Sequence, residues 1–144
     1  MRKIILALIV LISVANLSAN STVGVYTSVD HKSVTYSMDK LEFELDLWAL
    51  RSSSLYISAD YTLVSKKFNI SSANGFFWDL GLGAGMGISD GYFGVSILAP
   101  FELGYKFPVV AAGIDLYAQA VPQVLVFPSI DIGFDIGLGV RIGF

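Results

Sequence analysis

The side chains with chemistry in them recur at alternate positions. Leu41-Glu-Phe-Glu-Leu-Asp-Leu47 puts Glu42, Glu44 and Asp46 on one side of an extended chain and four apolar residues on the other. The same alternation assigns Asp60, Asp79, Glu102, Asp115, Asp131 and Asp135 to the polar side of their segments, so nine of the 12 acidic residues share one face. Only Lys106 and Arg141 oppose them there. Carboxylates gathered in a confined space can share protons, pair with a guanidinium, or attract cations. Acids outnumber bases, so ion pairing alone cannot neutralise them; the remainder must be hydrated near a rim, protonated or screened by cations. Arg141 is expected at the centre of any buried network, with Asp60 or Glu102 as its partner.

Other candidates are weaker. His31 is the only histidine, between Asp30 and Ser33 in an expected turn. A His and a Ser can drive acyl chemistry when a carboxylate converges on them, and no such pattern accompanies His31 in the sequence. It is read as a solvated loop residue. Without cysteine and with one histidine, no metal-ligand cluster is expected, although acidic rim positions can hold Ca²⁺ weakly. Glycines 81, 83, 85 and 87, and 133, 137, 139 and 143, line the polar side of two segments. They do not fit GxGxxG, because Met86, Ile88 or Asp90 occupies the third glycine in every register. The space they leave suits bulky residues such as Tyr56, Phe77 and Tyr117, or a narrow cavity. Neither a catalytic residue nor a cofactor is expected.

The elements that must position these residues are strands. Ile130 to Phe144 is apolar and bulky at every even position and Gly, Asp or Arg at every odd one. That suits a sheet with lipid on one face and water on the other. Eight strands follow from the alternation: Thr22 to Val29, Ser33 to Ser37, Leu41 to Leu47, Ser54 to Val64, Phe76 to Ile88, Tyr92 to Phe107, Ala112 to Val126, and the last run. Ser65 to Asn74 reads as a polar connection, Asp90-Gly91 as a hairpin turn, Pro100 as a bulge or break, and Pro122 as a point where the phase resets.

Residues 1–20 form a separate object. Arg2 and Lys3 precede an apolar stretch from Ile4 to Ile12 and a small-residue exit at Ser18-Ala19-Asn20, which is the form of a cleaved signal peptide. The stretch falls short of the roughly 20 residues a membrane helix needs. Removing Arg2 and Lys3 leaves 7 basic against 12 acidic residues, a net −5, with no electrostatic basis for binding nucleic acid. Absence of cysteine excludes a lipid-anchored lipoprotein and a disulfide-stapled domain. An apolar fraction of 54%, much of it at alternate positions, fits no second membrane helix: Val109 to Phe127 carries Asp115, Gln119 and Pro122.

The expected fold is therefore all-β: an eight-stranded antiparallel up-and-down transmembrane β-barrel over residues 21–144, preceded by the signal peptide. An even count returns both ends to the periplasm, leaving short outer loops near His31, Ser52, Asp90 and Ser129. Outward Tyr61, Trp78, Phe101, Tyr105, Phe107 and Phe144 fit interfacial girdles. Two alternatives share the composition. One is a narrow, cation-preferring, porin-like channel; the other is a soluble periplasmic barrel with aliphatic residues inside and acids outside.

A terminal aromatic at Phe144 resembles the C-terminal signature of bacterial outer-membrane barrels, which their insertion machinery reads. Ser58-Ala-Asp-Tyr61, Trp78-Asp-Leu-Gly-Leu-Gly83, Ala99-Pro-Phe-Glu-Leu-Gly-Tyr-Lys-Phe107, Ile114-Asp-Leu-Tyr-Ala-Gln-Ala-Val-Pro122 and Gly137-Leu-Gly-Val-Arg-Ile-Gly-Phe144, in that order, resemble a family of small uncharacterised eight-stranded outer-membrane barrel proteins of spirochaetes and other diderm bacteria, of the OmpA/OmpW-like barrel class. The chain departs from the family pattern with Ile97 or Leu98 at an arginine, Gln119 at a glutamate and Ile142 at the penultimate aromatic. The resemblance implies a barrel in the outer membrane, in contact with its lipid and with the insertion machinery, and no established activity. A monomer without enzymatic activity, in a structural or surface-interaction role, is the expectation.

Overall fold

Among the described residues nine strands make eight staves of a closed wall, because proline divides one stave in two. The computed structural model describes residues 21–47, 54–108 and 113–143. The strands are β1 (Ser21–Ser28), β2 (Lys32–Met38), β3 (Leu41–Asp46), β4 (Leu55–Ile70), β5 (Ala73–Ser89), β6 (Tyr92–Leu98), β7 (Phe101–Phe107), β8 (Ile114–Phe127) and β9 (Asp131–Gly143). Every pairing is antiparallel, each stave beside its neighbours in sequence, and β1 closes on β9 from Thr22↔Gly143 to Ser28↔Gly137. The result is an eight-stranded antiparallel barrel, which leaves no free sheet edge around its circumference. The expected signal peptide, the Ser52 loop and the terminal Phe144 lie outside the described residues.

β6 and β7 fill one stave between β5 and β8. The break falls at Ala99-Pro100, where proline has no N–H for a ladder. The wall stays stitched there by Gly81 N–H to the Pro100 carbonyl (2.8 Å) and Ala99 N–H to the Pro122 carbonyl (3.0 Å). Gly94, Ser96, Leu98, Pro100, Glu102 and Gly104 are all buried, so the phase survives the break.

Two expectations change. Pro122 does not reset the phase: the β8 ladder with β9 runs unbroken from Ile114↔Ile142 to Leu125↔Asp131. Pro122 faces outward beside the Ala99-Pro100 break, so the two prolines share one gap in the hydrogen-bond net instead of making two. Ser65 to Asn74 is not a loop either; β4 runs to Ile70, β5 starts at Ala73, and Ser71 turns with φ 53°. A bulge between Thr62 and Val64 accounts for the difference. One extra residue swaps the outward set from odd to even, so Val64, Lys66 and Phe68 face the same way as Leu80, Trp78 and Phe76.

Burial is inverted relative to a water-soluble fold. Among the described residues the buried apolar ones are Tyr26, Tyr36, Phe77, Leu98 and Tyr117, four of them inside the barrel by strand phase, while the buried polar set includes Glu42, Glu102, Gln119, Asp135 and Arg141. Leu82, Ile97, Leu116, Ile136 and Leu138 are exposed on the outer surface.

Candidate functional site

The interior is built by glycine and ring in pairs. A side chain at Gly139 would overlap the Tyr117 ring, one at Gly104 the Phe77 ring, one at Gly85 the Tyr56 hydroxyl and one at Gly137 the Tyr26 ring. Each bare backbone is the seat for an aromatic from another stave, which is how rings of that size fit in a lumen this narrow. Tyr26 and Tyr117 stack with centroids 6.4 Å apart, and Phe77 completes the cluster.

Against these rings lies Arg141. β9 sets it between Gly24 of β1 and Asp115 of β8, and Gly24 leaves room for its stem, since a Cβ there would sit 2.6 Å from Arg141 Cγ. Its Nη1 donates to Glu42 Oε2 at 2.7 Å and its Nη2 donates to Glu102 Oε1. The guanidinium carbon stands 4.2 Å from the Tyr117 ring centroid, a cation–π contact. Ser37 Oγ also donates to Glu42, at 2.6 Å. Glu102 is thus bonded to Arg141 and Asp60 is not; Glu42, paired with Asp60 across the β3–β4 ladder, takes that position. A guanidinium shared by two carboxylates ties β3, β7 and β9 together across the lumen.

The remaining inward acids spread along the axis. Asp79 lies opposite Glu102 in the β5–β7 ladder and Asp60 opposite Gly83, both half-buried. Asp115 meets Lys106 at 3.8 Å near the rim where β1 begins and β9 ends. Lys106 and Asp131 are exposed, at opposite rims, and Asp135 is buried. Glu44 and Asp46 are half-buried toward the β1–β2 turn. Among the described residues no group of three His, Cys, Asp or Glu is placed to hold a metal ion.

His31 is corrected from a solvated loop residue to a member of the interior. Its side chain keeps 21% exposure, with Nε2 3.0 Å from Glu44 Oε1 and Nδ1 3.7 Å from Asp135 Oδ2. Tyr26 donates its hydroxyl to the same Asp135 oxygen at 2.9 Å. The Glu44 hydrogen bond raises the His31 pKa above its ordinary value against the opposing effect of burial, and the charges of Glu44, Asp135 and Asp46 add to the rise. Both carboxylates are legible in the sequence as inward-facing; what the sequence conceals is that the turn folds over the mouth to reach them.

Ser28 Oγ lies 3.2 Å from His31 Nδ1, so Ser28, His31 and Glu44 have the outline of a nucleophile, base and orienting acid. The serine oxygen, however, already accepts the backbone N–H groups of Asp30 (3.2 Å) and His31 (3.1 Å). Its lone pairs hold the turn, which makes it a cap instead of a poised nucleophile.

Two cavities of about 280 Å³ each occupy the lumen beyond Arg141 and share Tyr56 and Gln123 in their walls. One is lined by Tyr26, His31, Glu44 and Asp135. The other reaches Tyr92, Gly133 and the exposed Asp131, so it opens at the rim of the β1–β2, β5–β6 and β8–β9 turns. Both cavities lie toward the mouth formed by the β1–β2, β5–β6 and β8–β9 turns.

Outside, aromatics form bands at both ends. Phe68, Phe76, Tyr105 and Phe107 contact in series at 5.6, 4.9 and 4.8 Å, with Trp78 against Phe101 at 6.1 Å. Near the other rim Phe93 meets Phe127 at 5.9 Å. No family model, curated protein or solved structure matches this chain.

Proposed function

We propose that the protein is an integral outer-membrane β-barrel with a structural or surface-interaction role, its lumen closed by side chains. The observation that carries this reading is the inversion of burial: Arg141, Glu42 and Glu102 lie inside, while Leu82, Ile97 and Leu138 lie outside. In water an apolar girdle of that extent is an aggregation surface, whereas in hydrocarbon it is the solvated face. A soluble ligand-binding barrel needs the opposite arrangement. The two aromatic bands fit the headgroup layers. The likeness of the sequence to small outer-membrane barrels of spirochaetes and the signal-peptide form of residues 1–20 favour the same address, with insertion by the barrel machinery.

What supports closure is the Arg141 network with Glu42 and Glu102, set against the Tyr26, Phe77 and Tyr117 rings across the lumen. Membrane fractionation with detergent extraction, plus heat-modifiable gel mobility, tests the reading. Recovery in the aqueous periplasmic fraction without detergent would overturn it. The acidic lining favours a second reading, a narrow cation-preferring channel. Planar-bilayer recording separates the two, since reproducible ohmic steps carried by cations would defeat the plug.

A further inference from the structure

The mouth of the barrel holds a hollow that the closed lumen does not use. Tyr26, Ser58 and Leu98 line its inner part, its wall carries Tyr56 and Gln123, and its rim carries Asp131. Glu44 and Asp135 face into it from β3 and β9, and no lysine or arginine among the described residues lines either cavity. A negative lining inside low-dielectric walls focuses its field on the cavity. Charge alone does not define a ligand. The second feature is a ring already seated there: His31 sits between Glu44 and Asp135, with its centroid 5.6 Å from that of Tyr26 and 6.5 Å from that of Tyr56. The hollow accepts a flat, nitrogen-bearing ring from the chain itself between two carboxylates, and cavity volume remains beside it.

We propose that this mouth cavity is a binding site for a small, flat organic cation of the amidinium, guanidinium or imidazolium type, with the His31 ring as its built-in competitor. Carboxylates at two sides take paired N–H donors, tyrosine faces take the cationic plane, and about 280 Å³ suits a ligand of one ring. Protonated His31 occupies Glu44 and Asp135; neutral His31 holds them less firmly. Binding of an external cation is therefore stronger above the His31 pKa than below it. The groups facing His31 are Tyr26 and Ser28 from β1, Glu44 and Asp46 from β3, Tyr56 from β4 and Asp135 from β9.

The test is calorimetric titration of the folded protein in detergent with benzamidinium and with its neutral analogue benzamide, at pH 8 and pH 5.5, against empty micelles. Expected are binding of benzamidinium alone, weakening by about tenfold or more in Glu44→Gln and Asp135→Asn, and loss of the pH dependence in His31→Gln. Absence of benzamidinium binding, or equal binding of benzamide, overturns the proposal. If a variant does not fold, the comparison of the two ligands on the unaltered protein decides. The outcome is separate from the membrane reading, because the site needs the folded barrel and not the bilayer.

Discussion

Arg141 and Glu42, 99 residues apart in sequence, bond at 2.7 Å inside the barrel. Glu102 takes the other arm of the guanidinium. Three staves are thereby tied by one side chain, and its removal leaves two buried carboxylates without their cation.

Arg141→Met is accordingly expected to lose about 3–5 kcal/mol of stability, because an uncompensated buried charge costs far more than an intact pair contributes. The readout is the temperature at which the folded gel band converts to the unfolded one. Adding Glu42→Gln and Glu102→Gln to the methionine variant should recover much of the loss, since it is the stranded charges that destabilise. Unchanged heat resistance in Arg141→Met would show that the network holds nothing.

Gly139 and Gly87 both face inward on strand backbone of ordinary geometry, yet they should respond differently to alanine. A Cβ at Gly139 overlaps the Tyr117 ring, whereas one at Gly87 meets only Tyr56 Cδ2, at 3.7 Å. Gly139→Ala should cost about 1–3 kcal/mol through overpacking, and Gly87→Ala should be near neutral. Combining Gly139→Ala with Tyr117→Leu should restore part of the loss. Equal effects at the two glycines, measured by the same thermal shift, would mean that the ring does not rest where the packing puts it.

How much of this is legible in the sequence depends on whether a feature is local. Alternation fixes a face within one strand, so the inward set from Glu42 to Arg141 follows from residue spacing alone. It also makes Glu102 a natural partner for Arg141. Glu42 is as inward-facing, but nothing in its own segment marks it as the second partner. The stagger between β3 and β9 is set by closure of the whole barrel, and no single segment encodes it. The bulge beyond Thr62 is hidden for a related reason: Leu63-Val64 is apolar in either phase. Lys66 and Lys67 then make a ladder look like a loop. His31 reads as solvated because a turn's sequence does not say which way it folds.

His31 predicts a pH dependence whose sign follows from its raised pKa. A histidine that binds its proton more tightly when folded contributes stability that is fully present below about pH 6.5, the unfolded value, and lost as pH rises through the folded one. Stability should fall over that window in the unaltered protein. Glu44→Gln removes the largest cause of the rise, so the imidazole should titrate at lower pH and the window should flatten. Proton NMR of the single histidine ring, in the folded protein in micelles, follows it directly. A His31 titration that does not move in Glu44→Gln would show that the turn does not close on β3.

The outer surface offers the sharpest test of the solvent around the barrel. Leu138 is 59% exposed in mid-stave, opposite Ala118 and Thr27, while Ile132 is 80% exposed one residue from the start of β9. If the wall stands in hydrocarbon, Leu138→Arg places a charge deep in the bilayer and should cost about 2–4 kcal/mol, whereas Ile132→Arg lies near the headgroups and should cost about 0–1. If the wall stands in water, both are exposed aliphatic side chains replaced by a soluble one, and both should be neutral. Refolding into lipid vesicles, followed by denaturant titration, measures the pair. The discriminating quantity is the difference between the two sites, because any general effect of arginine on strand formation cancels. Equal costs would remove the membrane from the account even though the barrel remained folded.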